Sequence, residues 1–271
     1  MLRGVLILLE TLLVGMKSLT ISANEAAIAE NPDEEQPLSS VAMASLLGVS
    51  LLLGIVIFFL IPVFISRIVE NAGANNFGAN MVEGLIRLVL FVGYVWVIGK
   101  MNDIKRVFGY HGAEHMVVHA YEAREPLTIE SVRRFPAAHP RCGTSFLMTV
   151  VIVSIILFMF FPRDPFWFLL ASRIVLVPII AGISYEFIRF AGTHQDNVWI
   201  RVFNSPNLLL QDLTTRKPDD GMVEVAITAI DYAIALDDGR AVPNDDSSTL
   251  STEPYMPGTA DPDPPDTSPG F

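Results

Sequence analysis

Leu46–Ile65 reads LLGVSLLLGIVIFFLIPVFI, an almost continuously apolar run with no charged residue. The hydrocarbon core of a bilayer takes about 20 helical residues. Backbone polar groups in lipid must be satisfied within their own segment, which a helix does. The stretch therefore predicts a transmembrane helix, with Pro62 bending its end. The uncharged window extends from Gln36 to Ser66. Composition agrees: of 271 residues 51% are hydrophobic and 17% charged, and the mean hydropathy is +0.46. The fold class that follows is all-α, a polytopic helical membrane protein.

Further segments fall on either side of this helix. Residues 2–23 hold an apolar run, Val5–Val14, interrupted by Glu10 and bounded by Arg3 and Lys17. No small-residue cleavage site of the secretory kind follows it. It reads as a helix in or dipping into the interface, with a full span as the alternative. Residues 24–40 read as an acidic loop and residues 71–80 (NAGANNFGAN) as a Gly/Asn loop. A second span covers 81–100, with Glu83 and Arg87 four apart on one helix face, where they can pair. A third runs from about Ser145 to Phe161, inside the uncharged window Cys142–Pro162. A short connector, PRDP, leads to a fourth at about Ala171–Arg189. Residues 219–236 read as an amphipathic helix capped by Asp219 or Asp220, with Val223, Ala226, Ile227 and Ile230 on one face.

The organisation expected is a membrane-embedded helical domain over 1–236, with a His-rich insertion at 101–144 and a tail at 237–271. The net charge of −11 belongs mostly to two places. Residues 24–35 carry five acids and no base, and the tail carries eight acids against Arg240. Such acidic, Pro-rich runs read as solvated and disordered, and nothing in the chain suggests nucleic acid. Lys100, Lys105, Arg106, Arg124, Arg133, Arg134 and Arg141 fall in one loop, against Arg67, Arg163 and Arg173 in the loops on the other side. The positive-inside rule then places residues 100–144 and the C-terminus in the cytoplasm of a multi-pass protein of the inner (plasma) membrane.

The chemistry concentrates in Tyr110–Ser145, which holds four of the five histidines and the single cysteine. His111, His115 and His119 recur every fourth residue, and Glu122 follows. At about 100° per residue the four lie within about 80° of one another, on one helical stripe. Imidazoles one turn apart can share a metal ion, whereas His111 and His119, two turns apart, are less suited to sharing one. The turn His139-Pro-Arg-Cys142 adds a nitrogen and a thiolate. Zinc fits that pair best and iron second. His111, His115, His139 and Cys142 are the preferred ligands of a divalent transition metal. His119, Glu122, Glu186 and Arg141 are possible additions.

Plainer readings stand beside these. The stripe could be the wet side of an interfacial helix whose other face lies on lipid. Cys142 could be a buried small hydrophobe. Arg133 and Arg134 suit anionic headgroups. The segment HGAEH also fits the H-x-x-E-H pattern of inverted zincins, in which Glu114 would be the general base and Glu186 a distant ligand.

The blocks YHGAEH, HAYE, HPRCGTSF, AGISYE and LQDLTTRKPDD together resemble the YqhQ-like family of bacterial membrane proteins, from about Arg3 to Leu236. That family is a domain of unknown function, described as predicted metal-dependent enzymes. The resemblance implies an integral membrane protein with a metal site and supplies no substrate. Members usually open with a segment of the type GGQAVIEGVMMR, whereas this chain opens near RGVLILLE. The block LTTRKPDD looks like a cytoplasmic connector rather than a source of ligands.

Three functions compete. A metal-dependent hydrolase would use Glu114 as base on a membrane-associated substrate. A scaffold for an envelope partner would use a structural metal. A transporter is disfavoured, because the ionisable groups cluster at the ends of the spans.

Overall fold

The computed structural model describes residues 2–30, 40–139, 142–194 and 197–239. Among them all regular structure is helical: α1 Leu2–Glu30, α2 Ser40–Ile55, a π-helical turn Val56–Leu60, α3 Ile61–Asn71, α4 Asn76–Ile98, α5 Asn102–Glu122, α6 Ile129–Val132, α7 Gly143–Phe158, α8 Phe166–Val175, α9 Val177–Thr193, α10 Val198–Thr214 and α11 Asp220–Asp237. The all-α membrane fold read from the sequence holds. The tail beyond Gly239 lies outside the described residues.

Among the described residues three helices are long and apolar enough to cross a bilayer: Gly4–Ala26, Ala44–Asn71 and Asn76–Ile98. A fourth results if α8 and α9, bent by 41° at their junction, are counted as one span. The N-terminal segment is thus long enough to span. Glutamate is a good helix former and does not end the helix. Further on, the Ser18 and Thr20 hydroxyls return hydrogen bonds to the Val14 and Met16 carbonyls, so the polar SLTIS stretch stays helical. The helix also takes in Asn24–Glu30, which the acidity had assigned to a loop. The Gly/Asn loop shrinks to Ala72–Asn75 because Asn71 ends α3 and Asn76 begins α4. The third expected span, α7, is a shorter apolar helix of 16 residues.

The chain divides into two compact units, one formed by residues up to Phe91 with Thr149–Phe187, the other by Val92–Met148 and the residues from Ile188. In the first unit Leu46, Val49, Leu51, Leu52, Leu85 and Val89 are exposed, an apolar surface suited to lipid. Its interior is polar. The Glu83 carboxylate accepts from Arg87 Nη2 at 3.0 Å, from Arg173 Nε and Nη2 at 2.8 and 2.9 Å, and from Arg163 Nη1 at 2.8 Å. Arg163, fully buried, also donates to Glu70 at 2.9 Å, Asn80 Oδ1 at 2.7 Å and Ser66 Oγ at 2.8 Å. Arg87 Nε donates to the Phe58 carbonyl in the π turn at 3.0 Å. The network joins α3, α4, α8 and the connector before α8. The i,i+4 pair of Glu83 and Arg87 was legible in the sequence. Arg163 and Arg173, counted there as loop charges, are buried partners of the same carboxylate.

Removing one partner from a buried ion pair strands the other charge and costs about 3–5 kcal/mol. Glu83→Gln is expected to destabilise the protein on that scale. Unfolding in mixed micelles measures it, with Glu70→Gln, which removes only the outer carboxylate, costing less.

Candidate metal centre

In the second unit α5 has two working faces. Ala113, Met116, Val117 and Ala120 recur at helical spacing and form a core with Leu127, Val132 and Val223. Ala226, Ile227, Ile230 and Ile234 of α11 pack on that core, with Ile129 and Phe135 from the other side. Asp219 caps α11 by accepting the Met222 N–H at 2.9 Å. The apolar side of α5 is therefore covered by protein, not lipid. On the opposite stripe stand His111, His115, His119 and Glu122, and His115 is only 3% exposed. That excludes a wet face for His115.

Backbone carbonyls orient three of the imidazoles. The Thr214 carbonyl lies 2.8 Å from His111 Nδ1, the Ala137 carbonyl 2.6 Å from His115 Nδ1 and the Ala138 carbonyl 2.9 Å from His119 Nε2. A carbonyl only accepts, so each of those nitrogens carries a proton. His111 and His115 are left to act through Nε2 and His119 through Nδ1. Such hydrogen bonds to the far ring nitrogen are the usual support of metal-ligating histidines.

The donors fall into two sets. In each, one ligand atom per residue lies within 4.8 Å of the others: His111, His115 and Cys142 in the first, and His119, Glu122 and His139 in the second. His111 Nε2 is 3.1 Å from Cys142 Sγ. The His139 ring is 4.5 Å from His119 and 5.8 Å from His115, and its Nε2 is 3.4 Å from Glu122 Oε2. The four ligands that the sequence grouped over one ion are thus divided, with His139 beside His119. The remoteness of His111 from His119 was legible in their two-turn spacing.

Electrostatics in the first set favour a thiolate. Burial raises the Cys142 pKa, but hydrogen bonds from His111, His115 and Thr144 outweigh it and bring it down to about 5. The Thr144 N–H reaches Sγ at 3.4 Å, at the first turn of α7. For His111 burial pulls the pKa down, yet Cys142 and the Thr214 carbonyl carry it above its ordinary value. His139 is lowered by burial, aided by the neighbouring His119 and His115 and opposed by Glu122.

Glu114 is exposed and outside both sets, and its charge acts on His111. Glu186 belongs to the other unit. Arg141 lies outside the described residues. His194 is exposed at the end of α9, with its ring against Phe190.

Three contributors were not foreseen. Gln211, fully buried, accepts the His139 N–H at 2.8 Å and donates to the His139 carbonyl at 2.7 Å and Ser145 Oγ at 2.7 Å. Its sequence signal was one amide closing the run Leu208-Leu209-Leu210. Thr214 contributes a carbonyl, so the LTTRKPDD block supplies an orienting group. Gly112 lets that segment approach: a Cβ there would lie 2.2 Å from the Arg216 carbonyl oxygen.

A family profile described as "Protein of unknown function (DUF1385)" matches residues 1–236. The chain is similar to "Uncharacterized protein YqhQ" of Bacillus subtilis (strain 168), 34% identical over 245 residues, covering 87% of this chain and 77% of that protein. No solved structure matches it.

Gly112→Ala must push the 214–216 segment off α5 and take the His111 partner with it. A lowered melting temperature is expected, measured by circular dichroism in detergent. Gly93→Ala, where a Cβ meets nothing within 4 Å, is the control and should leave it unchanged.

Proposed function

The chain belongs to the DUF1385 family of proteins of unknown function, and we propose that it is a membrane-bound, metal-dependent enzyme, hydrolase-like in its chemistry, whose first centre is His111, His115 and Cys142. One observation carries the reading. Two imidazoles held at Nδ1 by backbone carbonyls share a buried sulfur of thiolate character. Nitrogen with thiolate suits zinc best and iron second. Three protein donors leave a fourth position open, as catalytic zinc sites do and closed structural sites do not. When bound, the ion supplies Lewis acidity and acidifies water at that open position.

The chain's own residues do the rest. The Thr214 and Ala137 carbonyls fix which nitrogen each ring presents. The α5–α11 core holds the helix that carries both rings. Glu114, one turn from His111 and open to solvent, is the proposed general base. A carboxylate within reach of a bound water can take its proton.

The substrate is proposed to be membrane-associated, because the chain carries apolar spans along with the centre. The proposed location is the plasma membrane, with residues 100–144 and the C-terminus in the cytoplasm. The excess of Lys and Arg in 100–141 over Arg67, Arg163 and Arg173 supports that orientation.

Purified protein should contain tightly held zinc by elemental analysis, and Cys142→Ser should lose the ion of this centre. Wild-type protein free of transition metal would defeat the reading. Glu114→Gln is expected to keep metal and fold while failing to complement a deletion strain. If Glu114→Gln complements fully and Cys142→Ser, which strands no carbonyl, unfolds the chain, the ion is structural and the protein a scaffold.

Sidedness has its own check. In intact cells a membrane-impermeant thiol reagent should label a cysteine at Ala74 and spare one at Glu130. The reverse pattern inverts the topology.

A further inference from the structure

We propose that His119, Glu122 and His139 form a second divalent-metal site, separate from the Cys142 centre and more open to solvent. The inference goes beyond the function proposed above and does not depend on it, since the two sets share no residue.

Three features of the geometry support it. His119 and Glu122 are three apart on α5, hence neighbours on one face, and their ligand atoms lie within 4.8 Å of one of His139. The His119 ring is fixed on both sides. Its Nε2 donates to the Ala138 carbonyl at 2.9 Å, and Phe135 stacks on it at 6.3 Å with the planes 8° apart. That leaves Nδ1 as the nitrogen with a lone pair. His139 is anchored at its backbone, whose N–H and carbonyl are both bonded to the buried Gln211. A surface histidine paired with an acid needs none of this support, and a ligand does.

The donor chemistry and the exposure both differ from the first set. Two imidazoles and a carboxylate form a harder set than two imidazoles and a thiolate. It takes zinc, iron(II) or manganese(II) and leaves positions open for water or an oxygen-bearing ligand. The Glu122 side chain is 35% exposed, whereas Cys142 is 8% exposed. An ion in the second set should therefore exchange faster and yield to a chelator first. Along α5 the two sets follow one another, so a substrate coordinated at one would meet the other next to it.

Cobalt(II) separates the two sites, because only the first offers a sulfur. Full-length protein in detergent is stripped with a chelator and titrated with cobalt(II) alone. Binding is counted by native mass spectrometry and the thiolate-to-cobalt charge-transfer band is followed in the near ultraviolet. Two ions per chain are expected, one of which adds no charge-transfer intensity. Glu122→Gln, a near-isosteric change at a partly exposed position, and His119→Ala should each reduce the count to one and keep the band. Cys142→Ser should abolish the band and keep one ion.

One ion in the wild type, with the band intact in Glu122→Gln and His119→Ala, overturns the second site and leaves the first. A single wild-type ion that all three variants lose also overturns it, because the residues then form one shared centre. No cobalt in a folded wild-type chain overturns this proposal together with the first centre. An ion bound without any charge-transfer band defeats the first centre and leaves this one standing.

Discussion

Gln211 satisfies both backbone polar groups of His139 with one side-chain amide, and the geometry of residues 137–139 follows from that. This segment has no helical or sheet ladder to take up its N–H and carbonyl groups, yet it is buried at His139. Buried backbone groups need partners. Ala137 and Ala138 find theirs in the His115 and His119 rings, and His139 finds its own in Gln211. The bonds that make the turn tolerable inside the protein are therefore the bonds that set the tautomers on α5. Replacing one of these histidines removes a donor atom and also strands a carbonyl. A loss of stability in such a variant is no measure of its metal bond alone, which is why Glu122 and Cys142, without carbonyl partners of this kind, are the cleaner probes.

The first unit solves a different problem. Arg87, Arg163 and Arg173 converge on Glu83, and Glu70 takes a further bond from Arg163. Three guanidiniums against two carboxylates leave one positive charge in excess inside an apolar unit. Such charges are expensive to bury unless every donor is used. Here the forked guanidinium geometry spreads them over Asn80, Ser66, Ser172 and the Phe58 carbonyl. The Phe158 ring lies 4.0 Å from the Arg173 guanidinium and offers its face to the excess charge. A network of this kind has one satisfactory arrangement, which fixes how α3, α4 and α8 meet more sharply than interchangeable apolar contacts would.

Periodicity explains what could be read in advance. The His/Glu stripe, the Glu83–Arg87 pair and the apolar face of α11 all depend on 3.6 residues per turn, and all appear where the spacing put them. Partners distant in sequence left no such trace. Arg163 and Arg173 looked like loop charges because their carboxylate lies 80 and 90 positions earlier. The Thr214 carbonyl has no side-chain signature, and Gly112 announces a close approach without naming what approaches. The division of the donors was half legible: the helix separates His111 from His119, but only the folded turn decides that His139 joins the latter. The N-terminal helix was underestimated because hydroxyls bonded back to their own helix count as polar in a sequence and cost little in a structure.

The two donor sets also differ in how their charge is held. Cys142 sits at the first turn of α7, where the Thr144 N–H, His111 and His115 all point at sulfur. A negative charge at a helix start is favoured by the helix dipole as well. The hydrogen bonds of the fold thus favour the thiolate form of Cys142. His111, His115 and Cys142 would hold a metal ion with donors that are already aligned, releasing protons on binding. Glu122 is partly exposed and lies 3.4 Å from the His139 ring. Of the two proposed centres, the first would retain an ion longer, while the second keeps its carboxylate within reach of water.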